Sequence, residues 1–403
     1  MTSREKALPV LIAGGGIGGL TAALCLAEAG FETAVFEQAP EFGELGAGIQ
    51  LSPNCSRVLH RLGLAPALEE CAFLPQGTEF RNWKTSRVIG SSPLGRSVCE
   101  EYGAPYYHVH RGDLLRVLVE AARQRETIAL HESARVESFT QKGGVVRVAV
   151  AGRTIEGDAL IGADGIHSTV RAGLVGEEAA SFTGNLAWRA LVPASVLPPG
   201  MLNPVATVWW GPGRHFVCYY VRGGSLVNCV CVVEKVGWET ESWTERGDYA
   251  ELKADFAGWH EHVQILIDSM DRESLYKWAL FDRPPMAKWG EGVVTLLGDA
   301  CHPTLPFMAQ GAAMAIEDAA VLACCLGTES AVGAGLRRYE DLRRERTAWV
   351  QARSRRNARV FHLRGPAALE RDRAVRRSSG GVRDRLFRYD ALTAVGQPSA
   401  EGD

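Results

Sequence analysis

Asp299, Cys301 and His302 fall within four positions of one another in the stretch GDACHPTLPFMAQGA, residues 298–312. Three chemistries suit such side chains: a metal site, a thiol nucleophile, or a backbone cradle whose polar groups meet a ligand. A metal needs further ligands at fixed spacing, and the chain has no CxxC and no second Cys/His pair in a zinc pattern. Pro303 and Pro306 are expected to hold the loop extended, where successive side chains point to opposite sides, so Cys301 and His302 do not converge. No metal site is assigned. Cys301 is expected to pack, and His302 to brace the loop through local hydrogen bonding. The cradle remains: Asp299 at the end of an apolar strand, then a helix opening at Gly311, Ala312 and Ala313, whose first amides have no intrahelical acceptor. Such amides favour negative charge.

A second constellation lies near the start. Gly14, Gly16 and Gly19, with Gly18 between them, form G-x-G-x-x-G after a short apolar strand (Val10 to Ala13) and before an apolar helix closed by Gly30; Glu37 ends the next strand. Each glycine has a mechanical reason: Gly14 for a tight turn, Gly16 for close approach of a pyrophosphate, Gly19 for helix-strand packing. Glu37 can accept hydrogen bonds from an adenosine ribose. The turn alone does not separate NAD from FAD.

The elements that carry these residues alternate in texture. Strand-turn-helix units recur at "DALIGADG" and "GVVTLLGDA", each strand ending in an acid before a turn, whereas "ATVWWGPGRHFVCYYVRGGSLVNCVCVV" reads as antiparallel strands joined by glycine turns. The chain thus weaves between a nucleotide-binding domain and a sheet-based domain in 403 residues, ample length for a large core. A net charge of −3 leaves no electrostatic case for nucleic acid or an anionic membrane, and a small molecule is the expected partner. The apolar stretch "LPVLIAGGGIGGLTAALCLAEAG" carries five glycines in its first half, which argues against a membrane span, and no other uninterrupted apolar run matches its length. Ten scattered cysteines are expected to be reduced thiols in a cytoplasmic protein. From about Gly335 to Phe361 a helix carries nine arginines against three acids and is expected to face solvent or a subunit. The polar end "GQPSAEGD" is expected to fray.

"ALIGADGIHSTVR", with Asp164, Gly165, Ser168 and Arg171, resembles the DG motif of flavoprotein aromatic hydroxylases, and "GVVTLLGDACHPTLPFMAQGA" resembles that family's GD motif. With the glycine turn, three motifs stand in family order over residues 10–320. "GAGIQLSPN", "HVHRGDLLRVL" and "HFVCYYVRGGSLVN" are similar to the branch acting on salicylate, 3-hydroxybenzoate or 6-hydroxynicotinate. The resemblance implies an α/β fold like that of para-hydroxybenzoate hydroxylase: a Rossmann-like FAD-binding domain (1–73, 105–180 and 284–330) interleaved with an antiparallel-sheet substrate domain (74–104 and 181–283), then C-terminal helices (331–403). It also implies bound FAD, contacts from Asp164, Asp299 and Arg111, Pro306 against the flavin's reactive edge, and NADH or NADPH as transient reductant. Oxygen transfer would pass through a C4a-hydroperoxyflavin to a small hydroxylated aromatic or N-heteroaromatic acid, the protein positioning the ring and excluding water.

An activated ring is a phenolate, so a base near its hydroxyl is expected. His215 and Tyr219 share one face of a strand with Val217, opposite Phe216, Cys218 and Tyr220. By resemblance the first face meets substrate, with His215 holding or deprotonating the hydroxyl and Tyr219 assisting. Some relatives carry a polar or basic residue where Pro306-Phe307 stands here, and Arg189 and Arg222 remain candidates for a substrate carboxylate. A larger natural product, an epoxidation, an NAD-dependent dehydrogenase and a non-enzymatic nucleotide sensor stay open as alternatives, as does a homodimer.

Overall fold

A computed structural model describes residues 7–43, 46–235, 237, 245–377 and 380–396. The terminal stretch expected to fray lies outside these residues from Gln397 onward. Two sheets organise the chain. The first is parallel throughout, in the spatial order Val294–Leu296, Ala159–Gly162, Val10–Ala13, Thr33–Phe36, Ile128–His131. Its strands are short, and all but the partly exposed edge strand Ile128–His131 are buried on both faces and almost wholly apolar, with the helix Ile17–Glu28 packed against the helix Gly311–Thr328 on one side. The chain leaves the central strand Val10–Ala13 in one direction and later returns on its other side at Ala159–Gly162. That reversal opens a crevice beyond the strand ends, where Gly14 and Asp164 both stand.

The second sheet has seven strands, in the order Tyr276–Asp282, Ser181–Pro193, Leu226–Glu234, Arg214–Val221, Val205–Gly211, Gly77–Asn82, Val88–Pro93. It is antiparallel except where Val205–Gly211 runs parallel to Gly77–Asn82, so the expected antiparallel sheet is in fact mixed. Period-two alternation divides its residues. Trp188, Trp209, Phe216, Cys218, Cys229 and Cys231 bury one face against Leu252, Phe256, Val263 and Leu266 of two short helices. The opposite face carries His215, Val217 and Tyr219 toward a cavity.

The long helix Val332–Phe361 follows. This arginine-rich helix is expected to face solvent or a subunit, yet Arg343 is fully buried against Glu317 and Asp318 of Gly311–Thr328, at 2.7 Å each. Two acids inside an apolar helix cannot stay ionised alone, so the neighbouring helix supplies the cation. Gly311–Thr328 is also long and apolar enough to cross a membrane by length and composition, but 72% of it is buried within the protein.

Candidate active site

Gly14 adopts φ +103°, and a Cβ there would lie 2.3 Å from the Ala163 carbonyl oxygen; a Cβ on Gly19 would lie 2.0 Å from the Gly14 carbonyl oxygen. The turn is therefore closed to any side chain at either position. Gly16 differs, since its Cβ direction meets nothing within 4 Å. It opens on a cavity of about 570 Å³ at the crevice between the two sheets. Gly14, Gly16, Gly18, Glu37, Arg111, Asp164, Asp299, Gly311, Ala312, Pro306, His215 and Tyr219 all line this one space. Gly19 and Ala313 are buried behind it and do not.

The donor set suits a flavin dinucleotide. Glu37 Oε2 accepts from Gly15 N–H and Oε1 from Ala39 N–H, both at 2.8 Å, which fixes the carboxylate at the cavity rim with further lone pairs for ribose hydroxyls. Asp164 Oδ2 accepts from Val170 N–H at 3.1 Å, while its Oδ1 is buried without a protein partner. An orphaned acceptor on a cavity wall calls for a ligand donor. Asp299 is exposed to the cavity, where desolvation by the surrounding protein raises its carboxyl above the ordinary value, His302 and Arg111 opposing the shift. Gln310 gives the helix starting at Gly311 no side-chain cap, leaving its first amides facing the same space.

The loop between Asp299 and Gly311 is not extended as expected. Gly298–Ala300 and Pro306–Met308 are 3-10 turns, and His302 N–H returns to the Gly298 carbonyl at 2.9 Å. Gly298 adopts φ +65°, which lets the chain fold back directly after the strand. His302 does brace the loop, but through Asp318 on the neighbouring helix, at 2.5 Å. Asp318 also accepts from Gly298 N–H at 3.1 Å. Burial pushes the Asp318 carboxyl up, but His302 and Arg343 pull it below its ordinary value, so the brace stays charged. Cys301 is fully buried, in keeping with packing. Among the described residues no three His, Cys, Asp or Glu side chains gather as a metal site.

On the wall formed by the seven-stranded sheet, His215, Val217 and Tyr219 share the cavity face with Val230, Val232, Arg189 and Trp278 of the neighbouring strands. Arg189 stacks its guanidinium over Trp278, 4.5 Å from the ring centroid. Arg222 stands outside, paired with Asp113 at 2.8 Å. Burial keeps Tyr219 protonated far above its ordinary value.

Residues 7–354 match the FAD binding domain family. The chain belongs to that family of FAD-dependent aromatic hydroxylases. It is 42% identical to 3-amino-4-hydroxybenzoate 2-monooxygenase PtnB3 of Streptomyces platensis, over 91% of this chain and 92% of that one. It is 41% identical to 6-hydroxynicotinate 3-monooxygenase of Pseudomonas fluorescens, over 85% and 89%. Among solved structures, Klebsiella pneumoniae HpxO complexed with FAD and uric acid superposes with a TM-score of 0.83 at 26% identity, covering 97% of each chain. The hydroxylase is thus a flavin monooxygenase with FAD as its cofactor.

Two features of this hydroxylase site escaped the sequence reading. Glu317 and Asp318 were legible as an anomaly, two acids in "MAIEDAAVL", although their partners were not. His362, which contacts His215, carried no local signal.

Proposed function

We propose that the enzyme hydroxylates a small aromatic or N-heteroaromatic acid carrying a ring hydroxyl, using NADH or NADPH and dioxygen. The observation that carries this reading is that His215, Tyr219 and Arg189 project from one sheet face into the cavity that the FAD-binding residues line. A base, a neutral hydroxyl and a cation around one apolar floor match a phenol with a carboxylate. The named substrates of the two relatives, 3-amino-4-hydroxybenzoate and 6-hydroxynicotinate, share those groups.

FAD, when bound, accepts the reducing equivalents and activates oxygen. The protein does the rest. Gly16 and the following helix start would hold the pyrophosphate, with Gly14, Gly18 and Gly19 shaping the turn. Glu37 would take the adenosine ribose. Asp299 would take the ribityl hydroxyls, Asp164 and Arg111 would complete the polar contacts, and the helix start at Gly311 and Ala312, with Ala313 one residue behind the cavity wall, would favour negative charge on the flavin ring. Pro306 walls the reacting space. His215 accepts the ring-hydroxyl proton, Tyr219 donates a hydrogen bond, and Arg189, held by Trp278, anchors the carboxylate. The ten cysteines are all free thiols, which suits a reducing cytoplasm.

The test is reductant consumption and product mass with hydroxylated benzoates, hydroxynicotinates and plain phenols. One ring oxygen gained supports the reading, and gain of oxygen with loss of carbon dioxide narrows it to decarboxylative hydroxylation. A flavin-loaded sample that no aromatic acid or phenol stimulates would refute the substrate class.

A further inference from the structure

His215 does not end at the cavity wall. Its Nδ1 lies 2.8 Å from Nε2 of His362, the residue that closes the long helix, and His362 Nδ1 lies 3.2 Å from Glu234 Oε1. His215 and His362 are 3% and 4% exposed, whereas the Glu234 side chain is 45% exposed. Phe307 and Phe361 flank the His215 ring, each with its centroid 5.3 Å away. Three side chains therefore lead from the cavity through an aromatic seal to bulk water.

Hydrogen-bond bookkeeping gives the chain a direction. An ionised carboxylate only accepts, so Glu234 places the His362 proton on Nδ1. Nε2 of His362 is then an acceptor, which places the His215 proton on its Nδ1. The remaining nitrogen of His215, Nε2, is left as a bare lone pair for the cavity. Arg364, 3.0 Å from Glu234 Oε2, pairs with the carboxylate at the outer end. Burial, then the neighbouring His362, keeps His215 well below its ordinary value. Burial also lowers His362, with Glu234 opposing and Arg364 and Arg214 adding to the shift. Both rings are neutral near pH 7.

We infer that Glu234 and His362 are positioning residues that hold His215 in its accepting tautomer and conduct the substrate's ring-hydroxyl proton to solvent. The inference rests on the substrate reading above. The substrate O–H bond breaks as Nε2–H forms on His215. The Nδ1 proton of His215 passes to His362 Nε2, that of His362 passes to Glu234 Oε1, and Glu234 releases it to water. No electrons change hands. Reprotonation of the hydroxylated product runs the hops backwards and restores the starting tautomers.

The test uses FAD-loaded enzyme mixed rapidly with 3-amino-4-hydroxybenzoate in a weakly buffered solution containing a pH-indicator dye, without reductant. Wild type is expected to release a proton as the probe binds. Glu234→Gln, whose amide can donate as well as accept, and His362→Asn are expected to slow that release about tenfold or more and to shift the pH profile of kcat. Flavin content and affinity for the probe stay close to wild type in Glu234→Gln, a surface change that does not threaten folding. Release at the wild-type rate in both variants, or binding by wild type without release, overturns the relay. Failure of the substrate reading has a separate signature, no oxygenated product from any phenol with wild type, and it takes the relay with it.

Discussion

The His302 imidazole lies 2.5 Å from the Asp318 carboxylate, with neither side chain open to solvent. One helix thereby grips the loop that carries Asp299, and Arg343, 2.7 Å from the other Asp318 oxygen, anchors the grip to the long helix. Removing one member of such a buried set leaves an uncompensated charge, at a cost of about 3–5 kcal/mol. Asp318→Asn is expected to lower the melting temperature and to yield protein depleted in flavin. Wild-type melting and flavin content would show that the brace is dispensable.

Two glycines of one turn are expected to fail differently. Gly14→Ala forces a Cβ to 2.3 Å from a carbonyl oxygen at φ +103°, so it should destabilise the fold itself. Gly16→Val adds its methyls to open space and should lose FAD while melting like wild type stripped of FAD. Melting temperature and visible flavin absorbance, measured on both, separate the outcomes. Retention of stoichiometric FAD by Gly16→Val would remove the pyrophosphate from that position.

The two candidate arginines now make unequal predictions. Arg189 lines the cavity, whereas Arg222 is engaged by Asp113 outside it. A charge-assisted hydrogen bond is worth roughly 1.5–3 kcal/mol, so Arg189→Met should raise KM for an aromatic acid about tenfold to a hundredfold, with a smaller effect on kcat. Arg222→Met should leave KM nearly unchanged. Equal effects of the two changes would count against Arg189 as the carboxylate anchor.

Acid sensitivity follows from the buried histidines. Burial, partly offset by Glu234, lowers His362 to about 4 from an ordinary 6.5. Between those values the unfolded chain binds more protons, so the contribution to stability is full above the ordinary value and declines as the pH falls. It is lost below the depressed value, for a total of roughly 3 kcal/mol. Urea unfolding of wild type should weaken more steeply with falling pH than that of His362→Asn, and parallel slopes would contradict the shift.

What the sequence by itself determined is local. Gly14, Gly16 and Gly19 announce a turn because sterics act over a few residues, and Asp164 and Asp299 announce a ligand crevice because each follows a short apolar strand. The pairing of His215 with Tyr219 on one face followed from strand period alone. Which face met the cavity did not, because Phe216 and Cys218 are as apolar as Val217. Only packing decided that, by closing Phe256 and Val263 over the first pair. Distance along the chain hid the rest: His362 stands 147 residues from His215, and Arg343 stands 25 residues from Asp318. A buried charge or ring states in sequence that it needs a partner, but the partner is chosen by which helix the finished fold lays beside it.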